Sequence, residues 1–264
     1  RRFALWLDEN SSPGILRELQ FLRQAAKDHM GELADTVIIE DGQLLRRMIA
    51  RRCIYGVDLN PITVQLARLS IWIHTFVPGL PLSLLDHNLV QGNALIGIGS
   101  LNEIRKKFDE SSGTLFAVDA DNLLGQAAEP LKKLAKLSDS SVKDIESGRA
   151  LIEEARLKTL ETKALCDLIV AQPVSDDPRL LNFQFDDWER QKSKIHSSIE
   201  LSLSRKILKP LSAFHFPIAF PEVFLRKSQG FNVVLGNPPW EEVKAEERDF
   251  WTGLFPGLRG LTQR

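Results

Sequence analysis

The sequence predicts an α/β fold in which parallel strands joined by helices are interrupted by a large helical insertion. Three observations carry this expectation. Cys53-Ile-Tyr-Gly-Val57 is a short apolar, partly β-branched run ending at Asp58, and Asn60-Pro61 then opens a helix. Two further runs, Asn88-Leu-Val-Gln-Gly-Asn93 and Phe231-Asn-Val-Val-Leu-Gly236, have the length and composition of buried strands. Between Asn93 and Phe231 the pattern changes, and residues 126–173 are rich in Ala, Leu, Lys and Glu. Strand, helix, strand at these spacings is the signature of parallel strands with crossover helices.

In chain order, residues 14–30 and 43–52 carry helical periodicity, with Ile15, Leu16, Leu19, Phe21 and Leu22 set among charged residues. Asn60 suits a helix cap and Pro61 a first turn, because proline lacks only an N–H that the first turn leaves unused. That helix is expected to run through Val64, Leu66, Leu69, Ile71 and Ile73 and to stop at Pro78-Gly79. In the central stretch, Leu131, Leu134 and Leu137, then Leu151, Ile152, Ala155 and Leu160, recur near helical spacing, with a break at Asp139-Ser-Ser141. Residues 172–182 read as a loop and 184–208 as a further helix. The expected organisation is therefore an α/β segment over 1–96, a mainly helical insertion over 97–229, and a returning strand with its loop and a following helix over 230–264.

Composition bounds the function. The chain has 264 residues, 43% hydrophobic and 26% charged, which suits a sizeable globular core. A net charge of −1 gives no global attraction to nucleic acid, so such contact must come from local basic groups. Arg1-Arg2, Arg46-Arg47 and Arg51-Arg52 are the groups able to reach phosphates. Two distant cysteines, Cys53 and Cys166, argue against a disulfide framework or a zinc site and fit a reducing cytoplasm. No signal peptide or membrane-spanning run is read from the sequence.

Chemistry concentrates at the strand ends. In open parallel sheets, ligands bind outside the carboxyl ends of the strands, and here those ends carry Asp58, Asn93 and Asn237. An acid in the place of Asp58 accepts hydrogen bonds from ribose hydroxyls; it also suits the positive end of the helix that starts at Pro61. Asn93 offers an amide to a base edge, or simply a turn with Gly92. Asn237-Pro238-Pro239-Trp240 is the most distinctive stretch. Its two prolines fix the backbone and remove two N–H groups, leaving a loop rich in carbonyl acceptors and poor in donors. A planar NH2 group is the matching ligand, with Trp240 as a stacking face; an ordinary turn after a strand is the plainer reading. His74 and His87 read as structural or surface groups, and His215 as packing beside the core.

With these residues in view, the chain resembles the adenine-specific N6 DNA methyltransferases of restriction–modification systems, of the kind in which methylase and nuclease can share one polypeptide. The resemblance rests on Tyr55-Gly-Val-Asp58-Leu-Asn-Pro-Ile-Thr-Val-Gln-Leu-Ala-Arg-Leu69, Leu89-Val-Gln-Gly-Asn93-Ala-Leu95, Phe220-Pro-Glu-Val-Phe224 and Gly230–Trp240. It implies a partial Rossmann-like class I methyltransferase core that uses S-adenosyl-L-methionine. Asp58 would bind the cofactor's ribose and Leu59 would pack on its adenine, which Asn93 and Ala94 would border. Asn237, Pro238, Pro239 and Trp240 would form the methyl-acceptor site for an adenine flipped out of double-stranded DNA. The glycine-rich loop that such enzymes place before the acidic strand has no counterpart in residues 1–52, where Gly14, Gly31 and Gly42 stand alone. The chain is accordingly expected to work with remaining segments of a longer polypeptide. Two other readings stay open: methylation of an RNA or protein-glutamine amino group, and a truncated fragment acting only as an interaction module.

Overall fold

The computed structural model describes residues 13–112, 124–185, 188 and 192–237, without the side chains of 108–112. The chain divides into two units between Gly230 and Phe231. The elements named here all belong to the first.

Two helices open the described chain, α1 (Pro13–Met30) and α2 (Asp41–Cys53). They bury Leu19, Leu22 and Ala26 against Leu44 and Leu45, with Val77 and Leu80 closing the cluster. Gln43 accepts the Glu40 backbone N–H at 3.2 Å, which satisfies a donor at the start of α2. The helix runs through Cys53, so the first strand starts later than the apolar run suggests. That strand, β1 (Gly56–Asp58), pairs in parallel with β2 (Leu89–Gln91) in the register Gly56↔Leu89, Val57↔Val90 and Asp58↔Gln91.

The crossover between them is α3 (Pro61–His74). Asn60 caps it as expected, its side-chain oxygen accepting the Ile62 N–H at 2.9 Å. Val64, Ala67, Ile71 and Trp72 pack with Ala50, Leu85 and Leu89. Arg68 reaches down from α3 and donates through Nε to the Leu89 carbonyl at 3.0 Å. The opposite face of α3 is also apolar and stays uncovered: Ile62, Leu66, Leu69 and Ile73, at spacings of four, three and four, are all more than half exposed.

Beyond β2 the described residues of the first unit are mainly helical. The elements are α4 (Leu101–Ser112), α5 (Ala128–Lys136), α6 (Val142–Lys158), α7 (Leu160–Ala171), α8 (Pro178–Leu181), α9 (Ile199–Leu211), α10 (Phe216–Ala219) and α11 (Pro221–Phe224). Ser141 begins α6 through its hydroxyl, which accepts the Asp144 N–H at 3.2 Å; this is the expected break at 139–141. The span 184–208, read as a helix, includes residues 186, 187 and 189–191, which lie outside the described residues; Trp188 is helical. Ser198 accepts the Leu201 N–H at 3.1 Å and starts α9 only at Ile199. The central helix is α7, with Leu165, Cys166 and Leu168 fully buried. Burial pushes the Cys166 thiol well above its usual range, whereas Cys53 is exposed. Among the described residues no helix is long and apolar enough to cross a membrane.

Two expectations are corrected here. The run Phe231–Gly236, expected as a third strand, forms no ladder among the described residues, and Val233, Val234 and Leu235 are 73, 81 and 92% exposed. β-branched residues favour an extended backbone, but a strand is completed only by a hydrogen-bonding neighbour and a covered face. The segment that continues the pairing beyond β2 is instead Ala213, in a parallel bridge with Asn93. Arg47, read as able to reach phosphate, is 2% exposed and pairs with the equally buried Asp139, Nη2 to Oδ2 at 2.9 Å. The same Nη2 donates to the Asp139 carbonyl at 3.1 Å.

The pair joins α2 to the turn between α5 and α6, and removing one partner leaves a buried charge. Asp139→Ala is expected to destabilise the protein by about 3–5 kcal/mol, read as a lowered urea midpoint at unchanged slope. An unchanged midpoint would show that the pair holds nothing.

Candidate functional site

The parallel register sets the polar residues of β1 and β2 on one edge. Asp58 ends β1, and its carbonyl accepts the Gly92 N–H at 3.0 Å, just past the end of β2. Asp58 is half-buried, and its Oδ1 accepts the Asn60 N–H at 2.7 Å. Its Oδ2 makes no hydrogen bond among the described residues and remains an acceptor beside Leu59, which is 57% exposed. Gln91, which the sequence did not single out, holds this turn by donating from Nε2 to the Leu59 carbonyl at 3.2 Å.

Asn93 is half-buried on the same edge. Its side-chain oxygen is spent on the Leu95 N–H at 3.1 Å, a local turn, so only its NH2 donors are left for a ligand. Ala94 and Leu95 are exposed beside it. The structure thus brings Asp58, Leu59, Asn93 and Ala94 together at the carboxyl edge of the two strands. Acceptor, apolar face and amide donor there match a nucleoside: a ribose hydroxyl for Asp58, a planar base for Leu59 and Asn93. These residues therefore fit the nucleoside part of S-adenosyl-L-methionine.

Asn237 lies in the second unit, exposed and in irregular backbone. Pro238, Pro239 and Trp240 lie outside the described residues.

The Asn93 loop is secured by a segment the sequence reading missed. Asn93 donates its N–H to the Ser212 carbonyl at 2.8 Å, Phe214 to Ile96 at 2.7 Å, and Phe216 to Ile98 at 2.9 Å. Residues 93–98 and 212–216 are thereby laced together. The approach requires glycine twice. A Cβ on Gly92 would stand 2.4 Å from the Phe214 ring, and one on Gly97, at φ +143°, would stand 1.9 Å from the Phe214 carbonyl oxygen.

His215 completes the lacing. It is 4% exposed; its Nδ1 accepts the Ile98 N–H at 3.2 Å and its Nε2 faces Asp167 Oδ1 at 2.9 Å. An acceptor role at Nδ1 leaves the proton on Nε2, which donates to the carboxylate. Asp167 also takes Lys163 Nζ at 2.9 Å, with Arg205 Nε at 3.8 Å. Burial pushes the Asp167 carboxyl up, but hydrogen bonds from His215 and Lys163 outweigh it and hold the group below its usual range. The one signal in the sequence was a lone acid inside the apolar run Leu165-Cys-Asp-Leu-Ile-Val170. Such an acid needs a buried partner.

The family model of the Eco57I restriction-modification methylase matches residues 52–254 of this chain. Neither the curated proteins nor the solved structures yield a match.

Because the folded state holds the Asp167 carboxyl below its ordinary value of 3.8, the stabilisation it provides is present above that pH and is lost as pH falls below it. Asp167→Asn is expected to cost about 3 kcal/mol or more at neutral pH and to flatten the loss of stability on acidification. Urea titrations at pH 7 and below pH 3.8 check both. A variant with the acid dependence of the parent would remove Asp167 from this role.

Proposed function

The chain belongs to the Eco57I restriction-modification methylase family, and on that premise we propose that it methylates the N6 amino group of adenine in double-stranded DNA, taking the methyl from S-adenosyl-L-methionine. The observation that carries the finer reading is the carboxyl edge of β1 and β2, where the open Asp58 oxygen, Leu59, Asn93 and Ala94 stand together. Asn237-Pro238-Pro239-Trp240 supplies the acceptor chemistry. The role is that of a modification enzyme within a restriction–modification or phage-defence system.

In this reading the cofactor supplies an electrophilic methyl group, and the protein's own residues bind and orient. Asp58 would accept a ribose hydroxyl on its open oxygen. Leu59 would pack on the cofactor's base, which Asn93 and Ala94 would border. An adenine amino group is a weak nucleophile because its lone pair is delocalised into the ring. The Asn237 side-chain oxygen and the Pro238 carbonyl accept its two hydrogens, which favours a pyramidal nitrogen with its lone pair free for the methyl. Two prolines in sequence restrict the backbone there, so the carbonyl dipoles would need little reorganisation during the reaction. A duplex hides the amino group, so the base is flipped out, and Trp240 gives it a face to stack on.

Asn237→Ala is expected to lower methyl transfer to unmethylated DNA by about 10²–10³-fold with cofactor affinity unchanged. Asp58→Ala is expected to do the reverse first, weakening cofactor binding by about tenfold or more. Calorimetric titration with S-adenosyl-L-methionine and transfer of labelled methyl to DNA separate the two effects. Full activity in Asn237→Ala, or methyl appearing in tRNA or a glutamine-bearing protein instead of DNA, would refute the assignment.

A further inference from the structure

A cavity of about 310 Å³ opens in the first unit at the amino-terminal ends of β1 and β2, the edge opposite Asp58. Its lining combines apolar side chains, Leu131 and Leu134 of α5 and Ile152 of α6, with Arg51, Arg52, Arg226 and a single carboxylate, Glu222. That volume is at the small end of ligand pockets, which combine apolar lining with a few fixed polar groups.

Charge decides what the cavity suits. Glu222 is already engaged: His87 Nε2 lies 2.7 Å from its Oε1, and the Tyr55 hydroxyl hydrogen-bonds to it. Burial, reinforced by the Glu222 charge, drives the Tyr55 phenol well above its ordinary range and keeps it a neutral donor. Arg52 is paired with Glu18 at 2.7 Å. The other two guanidiniums are under-compensated. Arg51 is only 10% exposed; its Nη2 donates to the Leu137 carbonyl at 2.7 Å, while the two carboxylates that act on it are shared, Asp139 Oδ1 at 3.8 Å from Nη1 with Arg47 and Glu18 with Arg52. That Nη1 makes no hydrogen bond, and burial lowers the Arg51 pKa. Arg226 is exposed and has no partner among the described residues. A buried guanidinium with an unused donor calls for an acceptor, ion or water.

Two under-compensated guanidiniums beside an apolar wall match a dianionic head on an apolar body. We infer that this cavity binds a phosphomonoester, with its phosphate between Arg51 and Arg226 and its organic part against Leu131, Leu134 and Ile152. Arginine suits that head because its planar fork meets phosphate oxygens in pairs. The phosphate comes either from a free small ester or from the 5′ end of a DNA strand. The cavity is separate from the edge that carries Asp58, and it does not depend on the methyl-transfer reading.

Calorimetric titration of the chain with phenyl phosphate tests the inference. Saturable binding is expected, with inorganic phosphate weaker and phenol not binding. Arg226→Ala, at an exposed position that leaves the fold intact, is expected to weaken phenyl phosphate by about tenfold or more. A 5′-phosphorylated oligonucleotide that competes with phenyl phosphate, where its unphosphorylated twin does not, assigns the phosphate to DNA ends; no competition assigns it to a free ester. Absence of binding by phenyl phosphate, equal binding by phenol, or unchanged affinity in Arg226→Ala would overturn it.

Discussion

The Asp167 carboxylate is the point through which the helical region grips the edge of the sheet. A buried carboxylate is tolerable only where cations and donors meet it. Here the donors come from α7 itself, through Lys163, and from His215, forty-eight residues away. Because His215 turns its other nitrogen to the Ile98 N–H, the bond continues into the loop that carries Asn93 and Ala94. The local conformation at the carboxyl edge is thus set by a helix far along the chain. Arg47 and Asp139 play a similar part on the other side, fastening α2 to the start of α6. A sheet of two three-residue strands makes few hydrogen bonds of its own, so the helices around it supply the rigidity of its open carboxyl edge.

Much of the first edge was legible in the sequence, because its chemistry is local. An acid at the end of an apolar run, followed by Asn60-Pro61, specifies strand end, cap and first turn within four residues, and the structure keeps that order. The helical character of the central region was legible for the same reason: leucine spacing and the serine break are short-range signals. Long-range pairing was not. Nothing near Ala213 resembles a strand, yet it lies beside Asn93, held by backbone bonds whose partners are more than a hundred residues apart. Conversely, Phe231–Gly236 has the composition of a strand and no ladder. Charges were less legible. Arg47, read as able to reach phosphate, is internal; His215 packs beside the core as read and is also hydrogen-bonded at both ring nitrogens.

The two ends of the short sheet differ in kind. At the carboxyl edge the groups are an acceptor, an amide and small apolar side chains, suited to a neutral nucleoside surface. At the amino edge arginines crowd around one engaged carboxylate, suited to an anion. Glu222, in the Phe220-Pro-Glu-Val-Phe224 stretch, ties the segment leading toward Asn237 to the base of the strands through His87 and Tyr55. A motif that looks like a lead-in to the acceptor loop therefore also shapes the second cavity.

The central claim is chemical: an adenine amino nitrogen in DNA receives the methyl group. Incubating the protein with unmethylated DNA and labelled S-adenosyl-L-methionine, digesting the DNA to nucleosides and separating them by mass tests it most directly. The account predicts label in N6-methyldeoxyadenosine alone. Label in a cytosine nucleoside, or DNA left unlabelled while RNA or protein acquires the methyl group, would contradict it.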